Sequence, residues 1–92
     1  MIKSFKHKGL KQFFCNDKKN LLNPQQCDRI SRLLDRLEAA EIIEDMNLPS
    51  YGLHQLTGDK KNRWSVKVSG NWRITFRFEE GQAYEVDLED YH

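Results

Sequence analysis

The sequence lacks any long apolar segment. No apolar run in its 92 residues approaches the roughly 20 residues that a membrane-spanning helix needs. The opening stretch, Met1 to Lys8, mixes apolar and basic side chains and contains no apolar core typical of a secretion signal. We therefore expect a cytoplasmic protein that does not enter a membrane.

Cysteine is also scarce. The two cysteines, Cys15 and Cys27, are twelve residues apart, a spacing that matches no zinc or redox motif. Free thiols in a reducing compartment are the simplest interpretation. No His, Cys, Asp or Glu residues stand at a spacing typical of metal ligands, so we expect neither a metal nor another cofactor.

An excess of one charge sign is absent as well, because the net charge is only +1. The charges are nevertheless unevenly distributed. Residues 1–19 hold six lysines against the single acid Asp17. Residues 60–77 contain no acid, and their basic side chains are Lys60, Lys61, Arg63, Lys67, Arg73 and Arg77. Such basic surfaces suit a polyanionic partner, and charges spread over an ordinary solvated surface are the alternative.

The length and composition indicate one globular domain over residues 1–92. The chain is 38% hydrophobic and 32% charged, which is too apolar for a disordered protein. Near the N-terminus, Ile2–Ser4 predicts a short strand and residues 5–15 a short helix.

The strongest helix signal begins at Asn23. Asn23 is a good N-cap, Pro24 suits the first helical position, and Gln26 is placed to complete a capping box. Apolar residues then recur at helical spacing as far as Ala40. Residues 41–46 predict one further turn before Pro49 breaks the pattern.

After this break the hydrophobic period changes to two, which is typical of strands. The alternation predicts strands over residues 51–56, 63–68, 72–78 and 83–88, with a turn over 57–62. The side chains predicted to face the helices are Trp64, Val66, Val68, Trp72, Ile74, Phe76, Phe78, Tyr84, Val86 and Leu88. A short strand, two helices and an antiparallel meander indicate an α+β fold, with the helices on one face of the sheet. The other face is predicted to be open.

The first hairpin predicts a pair of cations on that open face. Centring it on Gly70 pairs Val68 with Trp72 and places Lys67 directly opposite Arg73. Like charges in this arrangement repel each other unless an anion such as phosphate lies between them.

The second hairpin predicts acids beside the same arginine. Centring it on Gly81 places Glu85 opposite Arg77 and Glu89 opposite Arg73. A polar outer face with ordinary ion pairs is the alternative interpretation of this pattern.

The last four residues, Glu89 to His92, hold two carboxylates, a phenol and an imidazole. Because the alternation runs to Leu88, we expect the chain end to be held against the sheet rather than frayed. His54 is a second group able to titrate near neutral pH, and a structural histidine is its alternative role.

These groups suit the cleavage of RNA by its own 2′-hydroxyl. That reaction needs a general base, a general acid for the leaving 5′-oxygen and a cation on the developing charge, and it needs no metal. The candidates for proton transfer are His54, Asp90, Tyr91 and His92. The candidates for the cation are Arg73, Lys60, Lys61 and Lys67.

The same residues resemble the HigB toxins, the host-inhibition-of-growth branch of the RelE/ParE superfamily. The matching segments span nearly the whole chain and are Met1–Phe5, Leu53–Leu56, Gly58-Asp59, Trp64-Ser65, Asn71–Phe76 and Asp90–His92. The resemblance implies a microbial-RNase-like α+β fold. It also implies a toxin of a type II toxin–antitoxin system that cuts mRNA in the decoding site of the ribosome.

The resemblance further implies partners and site residues. The implied partners are a helix-turn-helix antitoxin of the HigA type, the small ribosomal subunit and mRNA. The implied catalytic set is His54, Arg73, Asp90, Tyr91 and His92, with Arg73 holding the scissile phosphate. Which of the two histidines and the tyrosine acts as base, and which as acid, stays open at this point.

Thr57 is a departure from the family pattern, since many relatives carry a lysine directly before the Gly-Asp turn. Lys60 or Lys61 would have to replace that cation. Two other functions stay open. One is a ParE-like, non-nucleolytic inhibitor of DNA gyrase, against which the terminal Asp-Tyr-His argues. The other is a degenerate module that only binds an antitoxin.

Overall fold

The computed structural model describes residues 1–57 and 62–91. These contain two α-helices, α1 (Lys8–Asn16) and α2 (Cys27–Ala39), and a sheet of four antiparallel strands: β1 (His54–Gln55), β2 (Arg63–Ser69), β3 (Trp72–Glu79) and β4 (Gln82–Asp90). Short 3-10 turns lie before and after α2, at Pro24–Gln26 and Ile43–Met46. The predicted α+β class is therefore confirmed. Most of the predicted turn over 57–62 lies outside the described residues.

Helix α1 starts three residues later than its apolar pattern predicts. The His7 side chain caps it, because Nδ1 accepts a hydrogen bond from the Leu10 amide at 3.1 Å. Phe5 instead belongs to an extended segment that runs parallel to β4, with bridges from Ile2 to Ala83 and from Phe5 to Val86. The predicted N-terminal strand is thus a short extended segment along the edge of β4.

The predicted start of the second helix at Asn23 is confirmed, but Gln26 does not complete the predicted capping box. The Asn23 side chain accepts a hydrogen bond from the Gln25 amide at 3.0 Å and begins the 3-10 turn that leads into the helix. Gln26 is buried, and its amide donates to the Ser69 hydroxyl at 2.9 Å. The capping box was wrong because Gln26 faces the sheet rather than its own helix end.

Strands β2 and β3 keep the predicted pairing of Lys67 with Arg73. Ser69, not Val68, then pairs with Trp72, so Val68 is an extra residue in β2 that forms a β-bulge. The turn consequently contains two residues, Gly70 and Asn71, and Gly70 has a positive φ of 54°.

A second bulge lies in β4. The predicted pair of Arg73 with Glu89 is present, and Thr75 pairs with Asp87. Arg77 pairs with Tyr84 instead of Glu85, because Glu85 adopts a left-handed conformation with φ 54° and adds one residue to β4.

We call the side of the sheet packed against the helices the inner face, and the opposite side the outer face. The inner face and α2 form the core, and its largest fully buried side chains include Phe76, Ile74, Val66 and Val86. The Glu85 bulge puts Ala83 in this core and places Tyr84 on the outer face opposite Arg77. Tyr84 was therefore wrongly assigned to the core.

Trp72 was also wrongly expected to be a core residue. It is the first residue of β3 and is 38% exposed.

Two sequence-based expectations concern cysteines and membranes. Cys15 is exposed and Cys27 is buried, and both thiols are free, as predicted. In the described part of the chain, the helices are too short or too polar to cross a bilayer.

The burial of Phe76 and the exposure of Trp72 predict opposite sensitivities to truncation. Phe76→Ala should lower the free energy of unfolding by about 3–5 kcal/mol, since it leaves a cavity between sheet and helices. Trp72→Ala should cost less than about 1 kcal/mol, as for most surface positions. Urea denaturation followed by circular dichroism measures both values, and equal losses would contradict this assignment of the core.

Candidate active site

A cleft of about 480 Å³ opens on the outer face, next to β1. Its lining includes three of the predicted catalytic residues, His54, Arg73 and Tyr91. The other lining residues are Gly52, Leu53, Leu56, Thr57 and Ser65. Three strands and the chain end thus contribute to one concave site.

Strand register explains why these groups meet. His54 pairs with Ser65, Ser65 with Thr75, and Thr75 with Asp87, so these side chains form a row across the outer face. The adjacent row consists of Lys67, Arg73 and Glu89. Arg73 is in the middle of its row and lies beside Ser65 in the first.

Arg73 is half-buried and is held by two acceptors. Its Nη1 donates to the Ser65 hydroxyl at 3.1 Å and to the Gly52 carbonyl at 3.2 Å. Within residues 1–57 and 62–91 no ion pair joins its guanidinium to an acid. A guanidinium carries five N–H donors, so Nε and Nη2 keep N–H groups that can donate hydrogen bonds to an oxyanion.

Glu89 lies opposite Arg73, but its carboxylate binds elsewhere. Its Oε2 accepts a short hydrogen bond from the hydroxyl of Thr75, which is fully buried. Ser65, which accepts from Arg73, is also buried. The outer face is therefore less open than expected, because these two hydroxyls are covered in its centre.

The other outer-face arginines differ from Arg73 because acids accompany them. Arg63 and Arg77 are directly opposite each other, and both approach the Glu85 carboxylate, at 3.6 and 3.4 Å. Arg77 also pairs with Glu79 and lies over the Tyr84 ring, 4.3 Å from its centroid. In the described part of this face, Arg73 is thus the arginine that no carboxylate engages directly.

Tyr91 follows β4 and is held at the cleft by its backbone. Its amide donates to the Asn71 carbonyl at 2.8 Å. Burial raises the pKa of its phenol, and the charges of Glu89 and Asp87 raise this pKa further, whereas Arg63 and Arg73 oppose the shift. Since the pKa is raised from 10.0, the phenol is protonated at neutral pH and can donate a proton.

The remaining predicted site residues are placed differently. Lys67 is exposed and opposite Arg73, as predicted. Asp90 pairs with Trp72, whose side chain alternates to the opposite face from Arg73, and it is not part of the cleft lining. The other three, Lys60, Lys61 and His92, lie outside the described residues.

Three contributors to the site were not singled out from the sequence. The side chains of Ser65 and Thr75 point to the same face of the sheet as Arg73, so alternation alone could have identified them. The Gly52 carbonyl leaves no such signal, because any residue has a carbonyl. Among the described residues no three His, Cys, Asp or Glu side chains cluster as potential metal ligands.

The charges around Tyr91 predict how its pKa responds to substitution. Glu89→Gln should lower the pKa of Tyr91, because it removes a negative charge that disfavours the phenolate. Arg73→Gln should raise the same pKa, because it removes a favourable positive charge. Titration by ¹³Cζ NMR, with Tyr91→Phe to assign the signal, measures both shifts.

Glu44→Gln, a change in an exposed acid of the 3-10 turn after α2, is the control and should leave the Tyr91 pKa unchanged. The wild-type stability should also fall as pH rises through the raised pKa of Tyr91, since the unfolded chain ionises this phenol at lower pH. Shifts in the reverse directions would contradict the described surroundings of Tyr91.

Comparison with known proteins agrees with the resemblance noted in the sequence. Residues 3–92 match the model of a family described as the RelE-like toxin of type II toxin–antitoxin system HigB. Endoribonuclease HigB of Proteus vulgaris is 47% identical over 92 residues, which are 100% of both chains. Toxin HigB-1 of Vibrio cholerae serotype O1 is 31% identical over 91 residues, covering 97% of this chain and 96% of the relative. The chain therefore belongs to the HigB-like family of RelE-like toxins of type II toxin–antitoxin systems.

Proposed function

We propose that this toxin is a ribosome-dependent endoribonuclease that cuts mRNA in the decoding site and so inhibits translation. Family membership and the name of the Proteus vulgaris relative support the endoribonuclease activity. The observation that carries the proposal is the cleft in which Arg73, with unused donors, adjoins the protonated phenol of Tyr91 and the imidazole of His54.

The proposed reaction is an internal phosphoryl transfer within the RNA. A base removes the proton of the 2′-hydroxyl, and the 2′-oxygen attacks the neighbouring phosphorus. The bond from phosphorus to the 5′-oxygen breaks, an acid protonates that oxygen, and a 2′,3′-cyclic phosphate is left. Negative charge on the phosphoryl oxygens grows during the attack, so a nearby guanidinium stabilises the transition state more than the ground state.

The described geometry supports a division of roles. Arg73 binds the scissile phosphate through its free Nε and Nη2 donors. Tyr91 is the general acid, since its phenol lines the same cleft as Arg73 and carries a proton at neutral pH. His54 lines the same cleft and is the general base. Asp90 and His92 remain in the proposed catalytic set on the family resemblance.

Membership of a toxin–antitoxin family implies an antitoxin as the partner of this chain. We propose that it is a helix-turn-helix protein of the HigA type, and that the toxin acts in the cytoplasm. The lysines Lys60, Lys61 and Lys67 are the proposed contacts to the RNA backbone. Of these, Lys67 lies directly opposite Arg73.

Replacing Arg73 tests the reaction. Arg73→Ala should lower the cleavage rate on translating ribosomes by about 10²- to 10³-fold, because a preorganised donor to the transition-state charge is lost. Growth arrest on expression without antitoxin should disappear. The rate is measured by mapping mRNA 5′ ends with and without ribosomes, and circular dichroism checks the fold.

Arg32→Ala is the matched control, because Arg32 is an exposed arginine of α2, which packs on the inner face. Its cleavage rate and growth arrest should equal those of the wild type. Full toxicity of the Arg73→Ala variant would contradict the proposal. Growth arrest with intact mRNA and a DNA-damage response would instead favour the gyrase inhibitor.

Lys67 provides a separate test of RNA binding. Lys67→Ala should reduce the slope of log affinity against log salt by about 0.7–1 for a short single-stranded RNA with a 2′-deoxy nucleotide at the cut. Lys11→Ala, on α1, should leave the slope unchanged. Filter binding at several salt concentrations measures the slopes, and equal slopes for wild type and Lys67→Ala would exclude a phosphate contact at Lys67.

A further inference from the structure

Arg29, in the first turn of α2, donates hydrogen bonds to the segment that precedes β1. Its Nε and Nη2 donate to the Lys67 carbonyl at 3.2 and 3.0 Å. The same Nη2 also donates to the Ser50 carbonyl, and Nη1 donates to the Ser50 hydroxyl at 3.1 Å. The guanidinium lies 5.1 Å from the centroid of the Tyr51 ring. One side chain thus joins α2, β2 and the segment that precedes β1.

The Lys67 carbonyl needs this donor because β1 does not extend as far as Lys67. Strand β1 pairs with Trp64 and Ser65, and Lys67 lies two residues beyond, on the side of β2 where its amide donates to Tyr51. The Arg29 fork supplies two donors to this carbonyl in place of a strand partner.

The contacts continue from Arg29 to the phosphate-binding arginine. The Lys67 amide donates to the Tyr51 carbonyl at 2.7 Å, which holds the peptide group between Tyr51 and Gly52. That peptide leads into Gly52, which has a positive φ of 56° and accepts the hydrogen bond from Arg73 Nη1. Arg29 therefore holds Ser50, two residues before Gly52, and Lys67, whose amide binds the carbonyl of the residue between them, Tyr51.

We infer that Arg29 is a positioning residue for Arg73, acting through the Ser50–Gly52 segment to aim the guanidinium at the scissile phosphate. This inference rests on the proposed function. Arg29 itself does not bind RNA in this arrangement, because its nitrogens donate to protein acceptors. Lysine cannot replace it, since a single ammonium lacks the planar fork that reaches both carbonyls.

Kinetics on ribosomes test this role. Arg29→Ala and Arg29→Lys should each lower kcat by about 10- to 100-fold with KM within about threefold of wild type, as expected when a catalytic group loses its support. In the double variant with Arg73→Ala, Arg29→Ala should cause no further loss, because the group that it positions is gone.

Two other arginines of α2 provide matched controls. Arg36 donates from Nε to the Asp45 carbonyl at 2.8 Å, so Arg36→Ala removes a similar link between helix and backbone away from the cleft. Arg32→Ala removes the same charge from an exposed position. Both variants should keep kcat and KM, and thermal unfolding of Arg29→Ala and Arg36→Ala should show comparable losses of stability.

A measurement without substrate separates this inference from the proposed function. In ¹H–¹⁵N spectra of arginine side chains, the Arg73 signals should become those of a mobile guanidinium in Arg29→Ala and stay unchanged in Arg36→Ala. Unchanged Arg73 signals in Arg29→Ala would overturn the inference, as would additive losses in the double variant. If wild-type toxin does not cut mRNA, the proposed function fails, and the Arg73 spectra still decide whether Arg29 positions it.

Discussion

The pairing of β3 with a neighbouring strand on each side is the constraint on which the rest of the structure depends. One side of β3 supplies Ile74 and Phe76 to the core, and the other supplies Arg73 and Thr75 to the outer face. Because side chains alternate strictly along a strand, packing the inner face against α2 also determines which groups line the cleft. One strand register thus determines both the residues of the core and the residues of the site.

Both bulges lie outside the part of the register that builds the site. The two bulges lie at opposite ends of the aligned rows: the Val68 bulge lies beyond the pair of Lys67 with Arg73, and the Glu85 bulge lies beyond the pair of Thr75 with Asp87. Between them the rows across the outer face stay aligned, which keeps His54 and Arg73 on neighbouring rows. The bulges instead change the periphery, where the Glu85 bulge places Tyr84 on the outer face.

The arginines of the outer face fall into two groups: those paired with acids within the protein, and Arg73, which is available to a ligand. Arg63 and Arg77 share the Glu85 carboxylate, so their charges are largely satisfied within the protein. Arg73 binds only neutral oxygens among the described residues, although Glu89, whose Oε2 accepts from Thr75, is directly opposite. An arginine held by neutral acceptors keeps its full charge for an anionic ligand, which suits a site that must bind a phosphate.

Much of this arrangement follows from local patterns in the sequence. Alternation after Pro49 was enough to predict β2, β3 and β4 and the pairs of Arg73 with Lys67 and Glu89, because period and turn position are local properties. The strand predicted over residues 51–56 is only His54–Gln55. The tertiary structure decided the bulges at Val68 and Glu85, since an extra residue is accepted or rejected by packing across strands that are distant in the chain. It also decided the raised pKa of Tyr91 and the Gly52 carbonyl as a partner of Arg73. Desolvation, and the direction in which a backbone carbonyl points, depend on segments that meet only when the chain has folded.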